Sequence, residues 1–356
     1  MKIAGIGLVF AQGLGMGALE TALNRGWVPP QEVEAPHIPG GKTPAYLVNL
    51  EALPDRSVLK KIRRSDKLSK MSVLAAADAL RDCGIADITK RKLGLIVATA
   101  FGPHVTTFGF LDDILDHGDA AVSPTTFSNS VHNAAASYVC NSLGINGPTL
   151  TITQFRFSFQ AALQLAQTWI DQGRCDYVLA GVVDQYGDVL GYVADHKLTT
   201  AKDGKIKPFT FKPTCQIPGE GAAFFLLGRE NRGNIYCGID AVHTGQAPDR
   251  GKPEDLTIID ADGMLPDETM YRGCLSPDVP AAAYAPLFGS MMIGSAFNTA
   301  AGALMIKKQL LFATPVADNP AGIRLLVENG PASVASILCA GYNCYSERSE
   351  ILLTKV

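Results

Sequence analysis

The stretch that decides the fold is GPTLTITQFRFS, residues Gly147 to Ser158. Its β-branched and apolar residues predict that a buried strand at Thr149–Thr153 ends here and turns into a helix over Ala161–Ile170. Such a turn places Arg156 at the N-terminus of the helix, where the unpaired N–H groups favour a negative charge. A guanidinium has the wrong sign for that position, so the residue needs an explanation.

Strand-like and helical patterns alternate along the whole chain. The longer series predicts strands at Ile3–Phe10, Lys92–Ala98, Tyr177–Val182 and Phe224–Leu227, and helices at Gly17–Gly26, Ser65–Cys83, Phe108–Leu115 and Asn133–Leu143. A shorter series from Ile235 predicts a strand at Thr257–Asp260, a helix at Ala300–Leu311 and a hairpin-like end at Ser336–Lys355. Alternation of this kind is typical of α/β layers. The two series fit a fold of two similar halves, 1–228 and 229–356.

The composition limits the class of protein. The 356 residues are 47% hydrophobic and carry a formal net charge of −3, which does not indicate a nucleic-acid partner. None of the eight cysteines forms a CxxC pair, and no apolar run approaches about 20 residues. We therefore expect a cytoplasmic protein with reduced thiols, no signal peptide and no membrane span. The densest basic patch, Lys60–Arg64, fits either an acidic carrier protein or an ordinary solvated surface.

Several motifs occur in a characteristic order. They are Cys175–Asp184, Lys207-Pro208-Phe209, Pro218-Gly219-Glu220-Gly221-Ala222, Ile293-Gly294 with Ala300-Ala301-Gly302-Ala303-Leu304, and Ala340-Gly341-Tyr342-Asn343. Together with Gly147-Pro148 they resemble the signatures of the β-ketoacyl synthases. The resemblance implies an α/β, thiolase-like fold with two similar βαβαβαββ halves in an α-β-α-β-α layered arrangement.

The same resemblance puts unusual residues at the catalytic positions. The family's nucleophilic cysteine falls on Arg156, its first histidine on Asp262, and its second on Ser295 or Ala296. The family needs a thiolate at a helix N-terminus and two histidines that stabilise an enolate oxygen. A guanidinium cannot attack a thioester, and an ionised Asp only accepts hydrogen bonds. We therefore expect no catalytic residue at these four positions.

Arg156 and Asp262 are brought to the same pocket by this motif alignment. Because burying an unpaired charge is costly, we predict an Arg156–Asp262 salt bridge that fills the former active site. The alternative is that Arg156 points out towards a dimer partner or a phosphate.

Other nucleophiles and bases fit the pattern less well. Ser158 is the best replacement nucleophile, ahead of Cys140 and Cys175, but no histidine falls on a motif position. His132 fits a structural or interfacial role, and His243 comes too early for the motif. The remaining histidines lie in loop-like or polar contexts: His37, His104, His117 and His196.

Among β-ketoacyl synthases, chains without the cysteine resemble the chain length factor, the non-catalytic β subunit of type II polyketide and aryl polyene systems. That resemblance implies pairing with an active ketosynthase, contact with acyl carrier protein, and a substrate tunnel at the subunit interface. Phe108, Phe110, Leu111 and His132 are the tunnel candidates, although the three apolar residues also fit an ordinary helix core. Arg in place of the usual Gln, and a compressed segment Ala241–Gly289, depart from the chain length factor pattern.

Two alternatives remain open at this point. One is a β-ketoacyl synthase or acyltransferase with an atypical active site. The other is a homodimeric scaffold that binds carrier protein.

Cofactor and metal motifs are weak. The pattern GLGMGA, Gly13–Ala18, fits a dinucleotide loop with Glu32 or Glu34 as the acidic partner. The segment that follows, Trp27–Pro30, does not have the pattern of the buried second strand that this motif requires. No histidine pair has the HxxxH spacing, and no GxSxG occurs. We expect neither cofactor nor metal.

Overall fold

The computed structural model describes residues 1–35, 38, 40–54, 57–245 and 254–356. The first half of the chain contains strands β1 (Lys2–Phe10), β2 (Gly13–Leu14), β3 (Gln31–Glu34), β4 (Lys42–Ala45), β5 (Leu93–Thr99), β6 (Thr149–Thr153), β7 (Tyr177–Asp184) and β8 (Gly221–Gly228). Its helices are α1 (Gly15–Arg25), α2 (Lys67–Asp82), α3 (His104–His117), α4 (Pro124–Asn129), α5 (Ala134–Leu143), α6 (Ser158–Asp171) and α7 (Asp188–Lys197).

The second half is shorter and richer in strand. Its strands are β9 (Cys237–Gly245), β10 (Leu256–Ile259), β11 (Ala281–Ala282), β12 (Leu310–Leu311), β13 (Gly330–Pro331), β14 (Ser336–Tyr342) and β15 (Arg348–Thr354). Its helices are α8 (Ala285–Phe288), α9 (Gly294–Lys308) and a 3-10 helix at Thr269–Cys274. Further 3-10 helices lie at Leu50–Ala52, Ser57–Ile62, Ile88–Lys90 and Asp119–Ala121.

The main sheet repeats one topology twice. Its strand order is β11-β10-β14-β15-β9-β1-β8-β7-β5-β6. In the first half β1–β8 and β8–β7 are antiparallel, whereas β7–β5 and β5–β6 are parallel. In the second half β9–β15 and β15–β14 are antiparallel, whereas β14–β10 and β10–β11 are parallel. The predicted pair of similar halves in an α/β fold is therefore confirmed.

The two halves meet where β1 pairs with β9. Lys2 lies opposite Gly238, and Ile3 lies opposite Cys237. The predicted division after residue 228 falls in the link between β8 and β9. As a division into domains it stays a prediction.

The layers follow from the alternation of side chains along each strand. In the first half, Ile96 and Val178 belong to the core shared with α6, whereas Leu95 and Leu179 belong to the core beneath α2. In the second half, Ile258 and Ile337 share the core of α9, whereas Ile259 and Leu338 pack in a separate cluster with Tyr271. Helices α6 and α9 thus form the central layer between the two halves of the sheet.

The fifth predicted layer is reduced. In the described residues of the second half, the 3-10 helix Thr269–Cys274 packs against β14, where the first half has the 16-residue α2. In the sequence, β9 and β10 are separated by residues 246–255 alone, fewer than the 16 residues of α2. This is the compressed segment noted in the sequence.

Two local predictions were wrong. The strand Thr149–Thr153 is not buried: within the described part of the chain β6 is the outer strand of the sheet and pairs only with β5, and Leu150 is 45% exposed. The helix predicted at Ala300–Leu311 starts at Gly294 and ends at Lys308, because Gln309 adopts the left-handed conformation with φ of 52°. Within the described ranges, no helix combines the length and the apolar character needed to cross a bilayer.

Candidate functional site

The turn between β6 and α6 is strained. Phe157 precedes α6 in the left-handed conformation, with φ of 70°, although it is a bulky residue and is buried. Such a conformation costs about 1–3 kcal/mol and persists only where the surrounding packing enforces it. The turn leaves Phe155 at the surface, 62% exposed, and directs the neighbouring Arg156 into the protein, where its side chain is 9% exposed.

The Arg156 side chain meets Asp262. Arg156 Nη2 donates to Asp262 Oδ1 at 2.8 Å, and the Asp262 side chain is 5% exposed. Asp262 follows β10, so the pair joins the two halves of the fold. The backbone N–H of Met264 also donates to Asp262 Oδ1, at 3.2 Å. The predicted salt bridge is confirmed, and Arg156 does not point outwards.

Two further carboxyl groups surround this pair. Burial raises the pKa of Asp260, to about 7, and that of Glu268, to about 8; the charge of Asp262 acts in the same direction as burial, and Arg156 opposes it. Asn298 donates to Asp260 Oδ1, and the backbone N–H of Gly263 donates to Glu268 Oε1 at 2.9 Å. We call Asp260, Asp262 and Glu268 the acidic cluster.

Arg156 stays charged in this environment. Burial favours its neutral form, but Asp262 outweighs that effect and holds the pKa of the guanidinium above its ordinary value. One permanent positive charge therefore faces three carboxyl groups, and the raised pKa values of Asp260 and Glu268 favour the protonated forms of these two. The sequence interpretation missed Asp260 and Glu268 as members of the site; the only signal for Asp260 was its place beside Asp262 after an apolar strand.

The positions expected for the second histidine lie at the start of α9. Ser295 and Ala296 are both buried, and the backbone carbonyl of Ser295 accepts a hydrogen bond from Thr299 Oγ1 at 2.7 Å. One turn further along the same helix, Asn298 reaches Asp260. This end of α9 is therefore next to the acidic cluster, and neither Ser295 nor Ala296 brings an ionisable acid or base.

The alternative nucleophiles lack a base. Ser158 is fully buried, and its Oγ has no hydrogen-bond partner among the described residues. Cys140 Sγ lies 3.4 Å from Thr149 Oγ1. Cys175 is buried, and burial raises the pKa of its thiol. In the described part of the chain none of these three is hydrogen-bonded to a histidine.

The histidines lie elsewhere. His132, His117, His196 and His243 are exposed. His104 is buried, where its Nε2 lies 2.8 Å from the carbonyl oxygen of Gln185 and burial lowers its pKa. His37 is outside the described residues.

A cavity of about 360 Å³ lies beside the turn that carries Arg156. Its lining includes Phe155, which precedes Arg156, and Met264, which follows Asp262 by two residues, together with Met291, Met292 and Asp184. The tunnel candidates are not part of its wall. Phe110 instead stacks on Phe127, with ring centroids 5.6 Å apart, and Phe108, Leu111 and His132 are exposed. A tunnel role for these four residues stays a prediction.

The glycine-rich loop Gly13–Ala18 does not sit in a dinucleotide-binding unit. It spans β2 and the start of α1, and the expected acidic partners Glu32 and Glu34 lie on β3. β3 pairs antiparallel with β4 in a separate hairpin, whereas the dinucleotide motif needs a second strand parallel to the first. Among the residues that the structure covers, no group of three His, Cys, Asp or Glu is arranged to hold a metal ion.

Known proteins share this architecture. The chain is 27% identical over 230 residues to "Nodulation protein E" of Rhizobium meliloti (strain 1021), covering 64% of this chain and 56% of that protein. It is 27% identical over 200 residues to "Putative polyketide beta-ketoacyl synthase 1" of Streptomyces virginiae, covering 51% and 47%. The matched region thus spans about half the length of these relatives.

Structural similarity extends over the whole chain. "The ishigamide ketosynthase/chain length factor" superposes with a TM-score of 0.83 at 16% identity, covering 100% of this chain and 98% of the other. At that identity the match shows the fold. The model of the family "Beta-ketoacyl synthase, N-terminal domain" matches residues 24–232, more than half of the sequence. The chain therefore belongs to the β-ketoacyl synthase family.

Proposed function

We propose that this chain is a non-catalytic subunit of the chain length factor type, which pairs with an active β-ketoacyl synthase. Its setting would be type II polyketide, aryl polyene or fatty-acid-like chain elongation on an acyl carrier protein. The observation that carries the proposal is the buried Arg156–Asp262 pair, at 2.8 Å, at the N-terminus of the helix where the family's nucleophile stands.

The chemistry of the pair supports this role. A guanidinium that stays protonated cannot open a thioester by nucleophilic attack. A carboxylate at the position of the first histidine would repel an enolate oxygen rather than stabilise it.

A group of exposed apolar residues supports a protein partner. Helix α3 exposes Val105, Phe108, Leu111 and Leu115, and the neighbouring segment exposes Phe127 and Val131. We call these six residues the α3 face. Contiguous exposed apolar residues mark interaction surfaces in soluble proteins.

The outer strand β6 offers a second contact. Among the described residues it pairs with β5 on one side only, and Leu150 is exposed on it. An unpaired strand edge presents N–H and C=O groups that another strand can satisfy. A homologous subunit of the same fold would carry the same kind of edge, which favours an active ketosynthase as the partner.

Intact-protein mass spectrometry after incubation with acyl-loaded carrier protein tests the loss of catalysis. We expect no acyl adduct on this chain, while a ketosynthase control gains one under the same conditions. A covalent acyl adduct on the purified chain would overturn the proposal, because it would reveal a working nucleophile.

A homodimeric scaffold that binds carrier protein is the second candidate. The observation in its favour is again β6, since two copies of one exposed edge can pair antiparallel across a two-fold axis. Size-exclusion chromatography with light scattering distinguishes the two candidate functions. It is run on the chain alone and then on the chain mixed with a ketosynthase. A chain that dimerises alone and does not exchange into a mixed dimer supports the scaffold.

A further inference from the structure

Helix α7 is weakly packed against the rest of the fold. Six of its ten residues, Asp188–Lys197, are exposed, and Gly191 is the one that is buried. Within the described residues no side chain caps its N-terminus, and its sequence contains a glycine and two valines, which favour a helix less than alanine or leucine does. Helices shorter than about 12 residues are marginal in water unless tertiary packing stabilises them. The stability of α7 therefore depends on a small number of contacts.

The same helix forms one wall of the cavity beside the Arg156 turn. Leu190, Val193, Ala194 and Lys197 line the cavity from α7. The rest of the wall comes from other segments, among them the buried residue Met291. Any movement of α7 away from these segments widens the cavity.

The loop before α7 attaches the helix to the core at two points. Tyr186 N donates to Glu220 Oε2 at 3.1 Å, and the hydroxyl of Tyr186 lies so close to Gly191 that a Cβ at that position would clash with it. His104 Nε2 lies 2.8 Å from the carbonyl oxygen of Gln185. Tyr186 thus connects a buried carboxylate to the middle of α7.

Glu220 is the centre of the first attachment. Its side chain is 1% exposed, its Oε1 accepts from Val48 N at 2.8 Å and pairs with Lys67 Nζ, and its Oε2 accepts from Tyr186 N. One carboxylate thus joins three separate segments of the chain. A buried carboxylate needs such donors, and each segment loses an acceptor without it.

The chain is attached again after the end of α7. Gln216 N donates to the carbonyl oxygen of Thr199 at 2.8 Å, and Ala201 N donates to the carbonyl oxygen of Gln216 at 3.0 Å. Both ends of the segment are therefore fixed, and α7 can open between them while the core stays folded.

We propose that α7 is a lid, which opens by local unfolding between these attachment points and widens the cavity. Glu220 keeps the lid closed through Tyr186. Segments with few buried apolar contacts open at a lower free energy than the whole protein does. The lid belongs to this chain, so its opening does not depend on pairing with a ketosynthase or on the chemistry at Arg156.

Hydrogen exchange of the purified chain at pH 7, followed by mass spectrometry, tests the opening. We expect the amides of α7 to exchange at least about 100-fold faster than those of α6, because a weakly packed helix opens without global unfolding. Helix α6 is the internal reference, since eight of its 14 residues are buried. Equal protection in the two helices overturns the proposal.

A thiol introduced into the cavity tests whether the opening exposes it. Met291→Cys places the thiol at a cavity residue that is 3% exposed. Labelling by N-ethylmaleimide, read by peptide mass spectrometry, has two references in the same chain: the exposed Cys344 and the buried Cys237. We expect a rate at least about tenfold above that of Cys237 and at least about tenfold below that of Cys344. A rate equal to either reference overturns the proposal, because the cavity is then closed, or open without movement of α7.

Glu220→Gln, in the Met291→Cys background, tests the attachment. The amide keeps the size of the side chain but has one accepting oxygen, so that either Val48 N or Tyr186 N loses its acceptor. Labelling of the introduced thiol should rise at least about tenfold, as the loss of a buried hydrogen bond implies.

Two controls accompany this variant. Glu328→Gln removes the same charge at an exposed site and should leave the labelling rate unchanged. Cys237 should stay unlabelled in Glu220→Gln, because the core remains folded. The role of Glu220 is overturned if the introduced thiol reacts at the same rate with and without Glu220→Gln, or if Cys237 becomes labelled as well.

Tyr192→Gly and Tyr192→Ala test the mechanism of opening and stay informative if Glu220→Gln does not fold. Both substitutions remove the same exposed ring from α7, but glycine favours a helix less than alanine does. Local unfolding predicts that the introduced thiol is labelled about fivefold faster in the glycine variant than in the alanine variant. Equal rates in the two variants overturn opening by local unfolding.

Discussion

Arg156 and Asp262 join the two halves of the fold through one buried hydrogen bond, 2.8 Å long, between the start of α6 and the residue that follows β10 by three positions. A buried ion pair brings little net stability, but removing one partner leaves the other charge without compensation. Here the acidic cluster makes the loss of the positive charge especially costly, because no other cation is paired with Asp262 among the described residues.

Arg156→Met should therefore destabilise the protein strongly. We expect a loss of about 3–5 kcal/mol in the free energy of unfolding, measured by urea denaturation at pH 7. The double variant Arg156→Met with Asp262→Leu should recover a large part of this loss, since it removes the unpaired charge as well. Arg229→Ala is the matched control, because it breaks the exposed Arg229–Asp171 pair, which solvent screens, and it should change stability far less than Arg156→Met. Equal effects of the buried and the exposed substitution would contradict this account.

Restoring the cysteine alone should not restore a nucleophile. In Arg156→Cys the thiol would lie beside Asp262, Asp260 and Glu268, and both burial and nearby negative charge raise a thiol pKa. We expect its alkylation by iodoacetamide at pH 8 to be slower than that of free cysteine, and no acyl transfer from loaded carrier protein. The measurement uses a Cys344→Ser background, because Cys344 is exposed.

The companion variant Arg156→Cys with Asp262→His supplies a comparison. Replacing the carboxylate by an imidazole removes the nearest negative charge, so the thiol should react faster than in the single variant. A single variant that reacts as fast as the double variant would show that Asp262 does not control this position.

The acidic cluster should make stability fall as the solution becomes alkaline. The folded-state pKa of Glu268, about 8, lies above the ordinary Glu value of about 4.3. The folded state therefore binds the proton more strongly than the unfolded state, and the stability that this proton gives is full below about pH 4 and lost as the pH rises through about 8. Asp260, with a pKa of about 7, acts in the same direction.

Glu268→Gln tests that direction. The amide oxygen can keep the bond from Gly263 N and the side chain no longer ionises. The variant should be more stable than wild type at pH 9, by at least about 1 kcal/mol, and similar to it at pH 5, as followed by thermal unfolding at each pH. Glu328→Gln, at an exposed site, should show no such difference. If the difference in stability between wild type and Glu268→Gln is constant from pH 5 to pH 9, the proton linkage is contradicted.

The fold and the Arg156–Asp262 ion pair could be predicted from the sequence. The exposure of β6 and the carboxyl groups around the ion pair could not. The motif order placed Arg156 and Asp262 in one pocket because each motif marks the end of a particular strand or the start of a helix. The exposure of β6 was not predictable, because a central and an outer strand can share one pattern, and only strand order separates them. Glu268 was missed for a related reason: it joins the acidic cluster only because the fold buries it beside Asp262 and Gly263.

The α3 face gives the most direct test of the partner. Leu111→Glu puts a charge in the middle of this face, where the leucine is exposed and supports no core. Copurification with a coexpressed ketosynthase should fall at least about tenfold, because burying an unpaired carboxylate in an apolar interface is strongly unfavourable. The thermal stability of the isolated chain should not change.

Val327→Glu introduces the same charge at another exposed apolar residue, outside this face, and should leave copurification intact. If both variants still bind the ketosynthase, the partner does not use the α3 face; if both lose it, the effect comes from net charge and not from the interface.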